Sequence, residues 1–385
     1  MKTALTAGLL LTPSGMVEHG VVIIEGVEIA AAGSRSHIEI PAGAPVEDFG
    51  DAVIAPGLID IHVHGGAGHD VMDASPSAMA AFETHLARQG VTAYLPTTVT
   101  APVEATLAAL ERLGKAIELK TQGRARPLGV HLEGPFISTA KCGVHPVKDI
   151  RPPSLELFDR FWAASQETVR MVTLAPELDG AEAFVRQLTA RRVRVSLGHS
   201  NAGTAATTAA IAAGASHATH TFNAMRALDH RDPGVLGAAL SDDRLSADII
   251  ADGIHVAPEL LKLFFRSKGA ERAVLITDAI SATGKPDGRY RLGGIEVEVK
   301  DSRCTHDGRL AGSVLTLDQA VRNMMAFAGC DLEQALAMAS ANPARALGLE
   351  RKRGAIARGM EADLVVMTRS GKVKQTYIAG VAATG

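Results

Sequence analysis

His62 and His64 stand two residues apart in the run LIDIHVH. In a strand, residues i and i+2 face the same side, so both imidazoles can converge on one point. Glu133 closes LGVHLEG, His199 lies in VRVSLGHS, His220 in HATHTF and Asp278 in AVLITDA. Each sits at the end of an apolar run of strand character. Six potential ligands at five strand ends form a specific constellation. Neutral imidazole and carboxylate suit a divalent transition metal such as zinc or iron. Singly, each residue has an ordinary explanation. An isolated HxH is a weak signal, and His199 and His220 could be plain strand-end histidines. Asp278 could cap a helix, as Asp commonly does after a strand. Glu133 could be an ion-pair partner, since a buried carboxylate without a cation is costly.

The elements that must hold these residues can be read from the same runs. From Leu58 the chain alternates between strand and helix. The strands are LIDIHVH, TAYLPTT, LGVHLEG, MVTLAP, VRVSLGHS, HATHTF, SADIIADG and AVLITDA. Helical stretches separate them. One opens at Ser75-Pro76 and stops at Gly90, and another opens at Pro102 and runs to about Leu119. Eight such units predict a (β/α)₈ barrel, whose active site lies at the C-terminal strand ends. The residues before the barrel read as β, with a hairpin at Gly26 between VVIIEG and VEIAAAG. After the eighth strand come a polar hairpin, RYRLGGIEVEVK, and two helices, LTLDQAVRNMMAFA and DLEQALAMASANPARAL. The tail, EADLVVMT and KVKQTYIAG, is β again. The expected architecture is α/β. Residues 56–349 form the barrel, and residues 1–55 and 350–385 together form a small β-sandwich.

Composition removes several classes of function. The chain has 385 residues, 46% hydrophobic and 21% charged, which is not the signature of disorder. Lys and Arg number 39 against 42 Asp and Glu, a net charge of −3. Bulk charge therefore gives no reason to expect nucleic acid as a partner. No stretch approaches the roughly 20 apolar residues of a membrane span. MKTALTAGLLLTPSG superficially resembles a secretory signal, but no cleavage site follows and Pro13-Ser14-Gly15 reads as a turn. Cys142, Cys304 and Cys330 form no CxxC pair. A reducing, cytoplasmic setting is expected. Cys142 lies near His145, and nothing in its neighbours marks it as activated.

APGLIDIHVHGG, HLEGPFIS, LGHSNA, HTFNAM, ADGIHV, ITDAISATG and LAGSVLTL occur in that order along nearly the whole chain. Together they resemble the N-acetylglucosamine-6-phosphate deacetylase family of the amidohydrolase superfamily. The HxH pair and Asp278 mark only the superfamily; HLEGPF, HTFNAM and LAGS are more specific. The resemblance implies a homodimeric, metal-dependent hydrolase of an acetylated sugar phosphate. It implies that Glu133, His199 and His220 are the principal metal ligands. His62 and His64 match a pair that supports a second ion in some members, so one or two divalent ions are expected, zinc first. Asp278 matches the catalytic acid/base, and His145 the residue at the acetamide carbonyl. Val144, Asn223, Ala224 and His255 match substrate-contacting positions, and Leu310, Ala311 and Gly312 match the loop lining the sugar pocket. Arg231 matches an arginine lent to the phosphate of the neighbouring subunit. His69, His131, His217 and His230 receive no ligand role. The alternatives are the same chemistry on N-acetylgalactosamine 6-phosphate or another acylated amino sugar, an N-acyl-D-amino-acid deacylase or cyclic-amide hydrolase, and a sugar-phosphate sensor on an inactive barrel.

Overall fold

The computed structural model describes residues 2–119 and 121–383. Eight parallel strands form the centre: β1 (Leu58–Val63), β2 (Val91–Thr98), β3 (Val130–Glu133), β4 (Val169–Leu174), β5 (Arg194–Leu197), β6 (His217–Ala218), β7 (Ser246–Ile250) and β8 (Ala273–Ile276). Neighbours in sequence are neighbours in space, from β1 beside β2 round to β7 beside β8. The ring closes where the Asp278 amide donates to the His62 carbonyl at 2.9 Å and Val63 bridges Ala279. Every residue of β1, β2, β3 and β8 is buried. Helices cover the outside, so the strands are buried on both faces and carry largely apolar runs, interrupted by buried Asp60, His62, His131 and Asp248. The helix Pro76–Arg88 begins as its sequence predicts, with Ser75 accepting from the Ala78 amide and Pro76 in the first turn.

A second sheet joins the two ends of the chain. The strands Lys2–Thr12, Gly15–Glu25, Glu28–Ser34, Val46–Asp48 and Val53–Pro56 share it with Leu364–Met367, Val373–Ile378 and Val381–Ala382. Val53–Pro56 pairs antiparallel with Leu364–Met367. Leu5, Val22, Ile54, Leu364 and Tyr377 pack into a core of its own. A charged joint ties this sheet to the barrel. Arg126 reaches Asp363 at 2.9 Å and Glu361 at 2.5 Å, and Arg353 pairs with the same two carboxylates.

Three expectations need correction. The run HATHTF supplies only two strand residues, His217 and Ala218. The chain then bends at His220, whose φ is +30°. The predicted hairpin after β8 is a four-stranded antiparallel meander, Gly288–Leu292, Ile295–Lys300, Arg303–His306 and Arg309–Leu310. Ile295, Val297 and Val299 turn inward against Leu292 and Cys304, while Glu296, Glu298 and Lys300 face out. DLEQALAMASANPARAL forms two helices, Leu332–Ala339 and Ala341–Ala346. Pro343 has no N–H for the Ala339 carbonyl, so an unbroken helix is impossible there. Ser340 takes up the break at φ −136°, ψ −72°, and its hydroxyl donates to the Leu336 carbonyl at 2.7 Å.

Candidate active site

The C-terminal strand ends open on a cavity of about 160 Å³. His64, Glu133, His145, His199, His220 and Asp278 line it, together with Val144, Asn223, Ala224, His255, Leu310, Ala311 and Gly312. His62 lies directly behind this lining, with Nε2 3.3 Å from Glu133 Oε1 and 3.5 Å from Asp278 Oδ1. The structure thus brings together all the residues singled out from the sequence except Arg231. Arg231 is exposed, its backbone amide donates to Asp229 at 2.8 Å, and it is absent from the cavity lining of its own chain. Gly143 and Leu292 complete the wall. Leu292 comes from the meander, whose sequence offers only alternation and no sign of a cavity. Leu310, Ala311 and Gly312 leave the last strand of that meander. Gly312 has φ +63°, and a Cβ there would meet the Ile280 side chain at 2.4 Å. Only glycine fits this turn.

Glu133 is the hub. Its Oε1 lies 3.1 Å from His220 Nε2 and 3.2 Å from His199 Nε2. Its Oε2 lies 3.3 Å from His64 Nε2 and 3.5 Å from His145 Nε2. Asp278 Oδ1 faces His64 Nε2 at 3.0 Å. His199, His220 and Asp278 all adopt left-handed backbone, with φ of +47°, +30° and +51°. Such a conformation costs a non-glycine residue about 1–2 kcal/mol, and this kind of strain gathers at functional sites.

The far side of each ring decides what its Nε2 can do. His64 Nδ1 meets the Thr97 carbonyl at 2.9 Å, His199 Nδ1 the Lys141 carbonyl at 2.9 Å, and His220 Nδ1 the Asn223 carbonyl at 3.2 Å. A carbonyl only accepts, so each Nδ1 carries a proton, and each ring presents a bare Nε2 once it is neutral. His145 is the reverse. The Thr100 backbone N–H donates to its Nδ1 at 3.1 Å. That nitrogen is therefore bare, and the proton sits on Nε2. His145 stands close enough to Glu133 and His199 to complete a ligand group, but its Nε2 turns a hydrogen-bond donor, not a bare lone pair, to the cavity. The orienting groups on Thr97, Thr100, Lys141 and Asn223 are backbone atoms, so residue types give no warning of them.

The donor set fits a divalent cation. His199 and His220 bring their Nε2 atoms to 3.0 Å, and His62 and His64 theirs to 3.2 Å. Two bare lone pairs at that distance would repel, so each pair must hold a positive charge between its rings, either a proton or a bound cation. Titration follows the same crowding. Burial opposes charge on His220, but the hydrogen bond to Glu133 and the charges of Glu133, Asp278 and Asp248 together outweigh it and lift its pKa to about 9, so without a cation its Nε2 keeps a proton at neutral pH. At His199, burial wins over the same carboxylate and takes the pKa down to about 4. The charge on neighbouring His220 pushes the same way. Burial also pushes against ionisation of Asp278, yet the His64 hydrogen bond and the charges of His62 and His64 together hold its pKa at about 2. Asp278 is ionised at neutral pH. Asn223 Nδ2 is buried without a partner among the described residues, a donor available to a ligand. His255 is clamped by Asp252, with Nδ1 2.6 Å from Oδ2.

Residues 53–383 match the amidohydrolase family. The chain is 42% identical over 386 residues to the N-acetylgalactosamine-6-phosphate deacetylase of Escherichia coli O157:H7, covering 100% of both chains. It is 37% identical to the N-acetylglucosamine-6-phosphate deacetylase of Bacillus subtilis (strain 168), covering 96% of this chain and 94% of that one. The crystal structure of N-acetyl-D-glucosamine-6-phosphate deacetylase from Mycobacterium smegmatis superposes with a TM-score of 0.92 at 36% identity, over 99% of this chain and 100% of that one. The barrel with its cluster of imidazoles and carboxylates, the terminal sheet and these relatives agree, and the chain belongs to the amidohydrolase family and, within it, to the N-acetylglucosamine-6-phosphate deacetylase family.

Proposed function

We propose that this chain hydrolyses the acetamide of N-acetylglucosamine 6-phosphate to glucosamine 6-phosphate and acetate. The observation that carries the reading is the pairing of ligand-form histidines around Glu133 with an ionised Asp278 and a donor-form His145 at one cavity. N-acetylgalactosamine 6-phosphate is the second reading, because the 42% identical relative is named for it. Acetate release from both epimers and from unphosphorylated N-acetylglucosamine, on protein of known metal content, tests both readings. Turnover of a phosphorylated sugar that is lost on chelation and restored by zinc is expected. No turnover of any of the three by metal-replete protein overturns the proposal and returns attention to acyl-amino-acid and cyclic-amide substrates.

Glu133, His199 and His220 would hold one cation, with His62, His64 and Asp278 close enough together to take part in a second site. Zinc suits these ligands best, with iron or another transition metal as the alternative. Such a cation acts as a Lewis acid and lowers the pKa of bound water from 15.7 to about 7. Asp278 accepts the proton of the attacking water as its oxygen closes on the acetyl carbon. The same carboxyl hands that proton to the departing sugar nitrogen, because an amide cannot leave as a free anion. His145 Nε2–H donates to the acetyl oxygen as negative charge develops there. Val144, Asn223, Ala224 and His255 orient the sugar, and Leu310, Ala311 and Gly312 wall its pocket. Arg231 reaches the phosphate of a neighbouring copy in a homodimer, where its planar fork suits a phosphate dianion. The three cysteines are free, which fits a cytoplasmic setting. Among the described residues no helix is long and apolar enough to cross a membrane.

Three outcomes test these roles. His145→Ala lowers kcat about 10²–10³-fold, the effect of losing one oxyanion donor, while metal content stays at the parent value. Loss of metal from this variant would make His145 a ligand after all. Arg231→Ala raises KM for the phosphorylated sugar by an amount matching about 1.5–3 kcal/mol, a charged hydrogen bond, and leaves the unphosphorylated sugar alone. Equal effects on both sugars sink the phosphate role. Cation binding displaces the His220 proton, whose pKa is about 9. Below that pH the proton competes, so apparent affinity falls about tenfold per pH unit for each proton released. Calorimetry in buffers of different ionisation heat reads the proton directly, and a pH-independent affinity would contradict the displacement.

A further inference from the structure

His220 follows a strand of only two residues and bends at once into left-handed backbone at φ +30°. Something must hold that bend, because its Nε2 has to arrive within reach of Glu133 and His199. Two grips come from one residue on the neighbouring strand β7. The Asp248 carboxylate Oδ1 accepts the backbone N–H of His220, and the Asp248 backbone carbonyl accepts the N–H of Thr221 at 2.9 Å. Asp248 Oδ2 accepts from His217 Nε2 at 2.8 Å, and His217 Nδ1 meets Ser246 Oγ at 2.6 Å. Asp248 is fully buried and His217 is 1% exposed. Its strand neighbours are Ala247, Ile249 and Ile250, and an apolar side chain there would avoid the desolvation of a carboxylate. A buried carboxylate persists here because it has a geometric task.

We infer that Asp248, braced by His217, is a positioning residue that fixes the direction in which His220 presents its Nε2. Asp248 touches neither the cation nor the substrate. It acts through the peptide N–H of a ligand, where groups supporting metal-bound histidines more often act through the second ring nitrogen. His217 thereby gains a role that HATHTF did not disclose from sequence. The inference rests on the metal-site reading above.

The experiment uses the full chain and measures zinc affinity by competition with a chromogenic chelator, alongside kcat, KM and the melting temperature of the metal-stripped protein. Asp248→Ala removes the acceptor and is expected to weaken zinc binding 10–100-fold, the range for loss of such a supporting group. KM should change less than twofold. Asp248→Asn keeps a carbonyl oxygen for the His220 amide and should recover most of that affinity. His217→Leu leaves Asp248 in place but unbraced, and should weaken zinc binding by severalfold. It serves as the test if Asp248→Ala does not fold. Variants that lower the melting temperature of the stripped protein while zinc affinity stays within twofold of the parent would overturn the inference. Parent protein that binds no zinc would instead overturn the metal-site reading itself, so the two failures are distinct.

Discussion

Asp278→Asn lowers kcat by about 10⁴-fold, the upper end of what a positioned acid–base group contributes, while KM and bound metal stay close to the parent values. The sign follows from the carboxylate's environment. Burial raises the pKa of Asp278, but the neighbouring His64 and His62 together hold it at about 2. At neutral pH it is thus ready to take a proton, and an amide in its place is not. The same group must also return that proton to the sugar nitrogen, so both halves of the reaction fail together. An effect confined to kcat, with kcat/KM falling equally, identifies an interaction made only in the transition state. Metal analysis of the variant is needed beside the kinetics, because Asp278 lies 3.0 Å from His64. A kcat within tenfold of the parent would rule Asp278 out as the proton carrier.

Glu133→Gln has the second large effect, on metal rather than on the chemical step. Glu133 Oε1 and Oε2 lie within 3.5 Å of five imidazoles, those of His62, His64, His145, His199 and His220. It is the one carboxylate all five share. Removing one partner from a buried charge cluster costs about 3–5 kcal/mol, roughly two to four powers of ten in affinity. The Glu133→Gln variant should therefore come off a column nearly free of metal and show almost no turnover. Excess zinc should restore part of the activity, which it cannot do for Asp278→Asn. Stoichiometric, tightly held metal in the Glu133→Gln variant would mean the cation is centred elsewhere, around His62, His64 and Asp278.

Most of this arrangement is legible in the sequence because barrel chemistry obeys a simple placement rule. Largely apolar runs mark the strands, and the polar residues at their C-terminal ends line the cavity, as Glu133 closing the strand Val130–Glu133 illustrates. What escaped reading depends on contacts between distant segments. The Thr100 amide decides that His145 turns a donor to the cavity, and the Lys141 carbonyl decides that His199 keeps its proton on the far side of its ring. Both are peptide groups, identical in every residue, so only the fold can aim them. The shortness of β6 escaped because HATHTF has strand-like composition, whereas the bend at His220 is imposed by Asp248 from the next strand. The break at Ser340 was visible in Pro343, but the helical periodicity on either side masked it. Leu292 could not be assigned to the cavity, because its meander folds back over the barrel only through its own small core.

The sheet that joins the two ends of the chain sets the order of events during synthesis. The strand ending at Pro56 finds its partner at Leu364, about 300 residues later. At about 5–20 residues per second, that wait is roughly 15–60 s. Through this interval the nascent N-terminal strands present an unpaired edge of the kind that invites association between chains. The barrel can begin to close while this edge is still waiting. Leu364–Met367 seals a sheet whose Val53–Pro56 edge has stood open since it was made, so chaperone occupancy on the nascent chain should concentrate around that edge until Leu364–Met367 is free to pair.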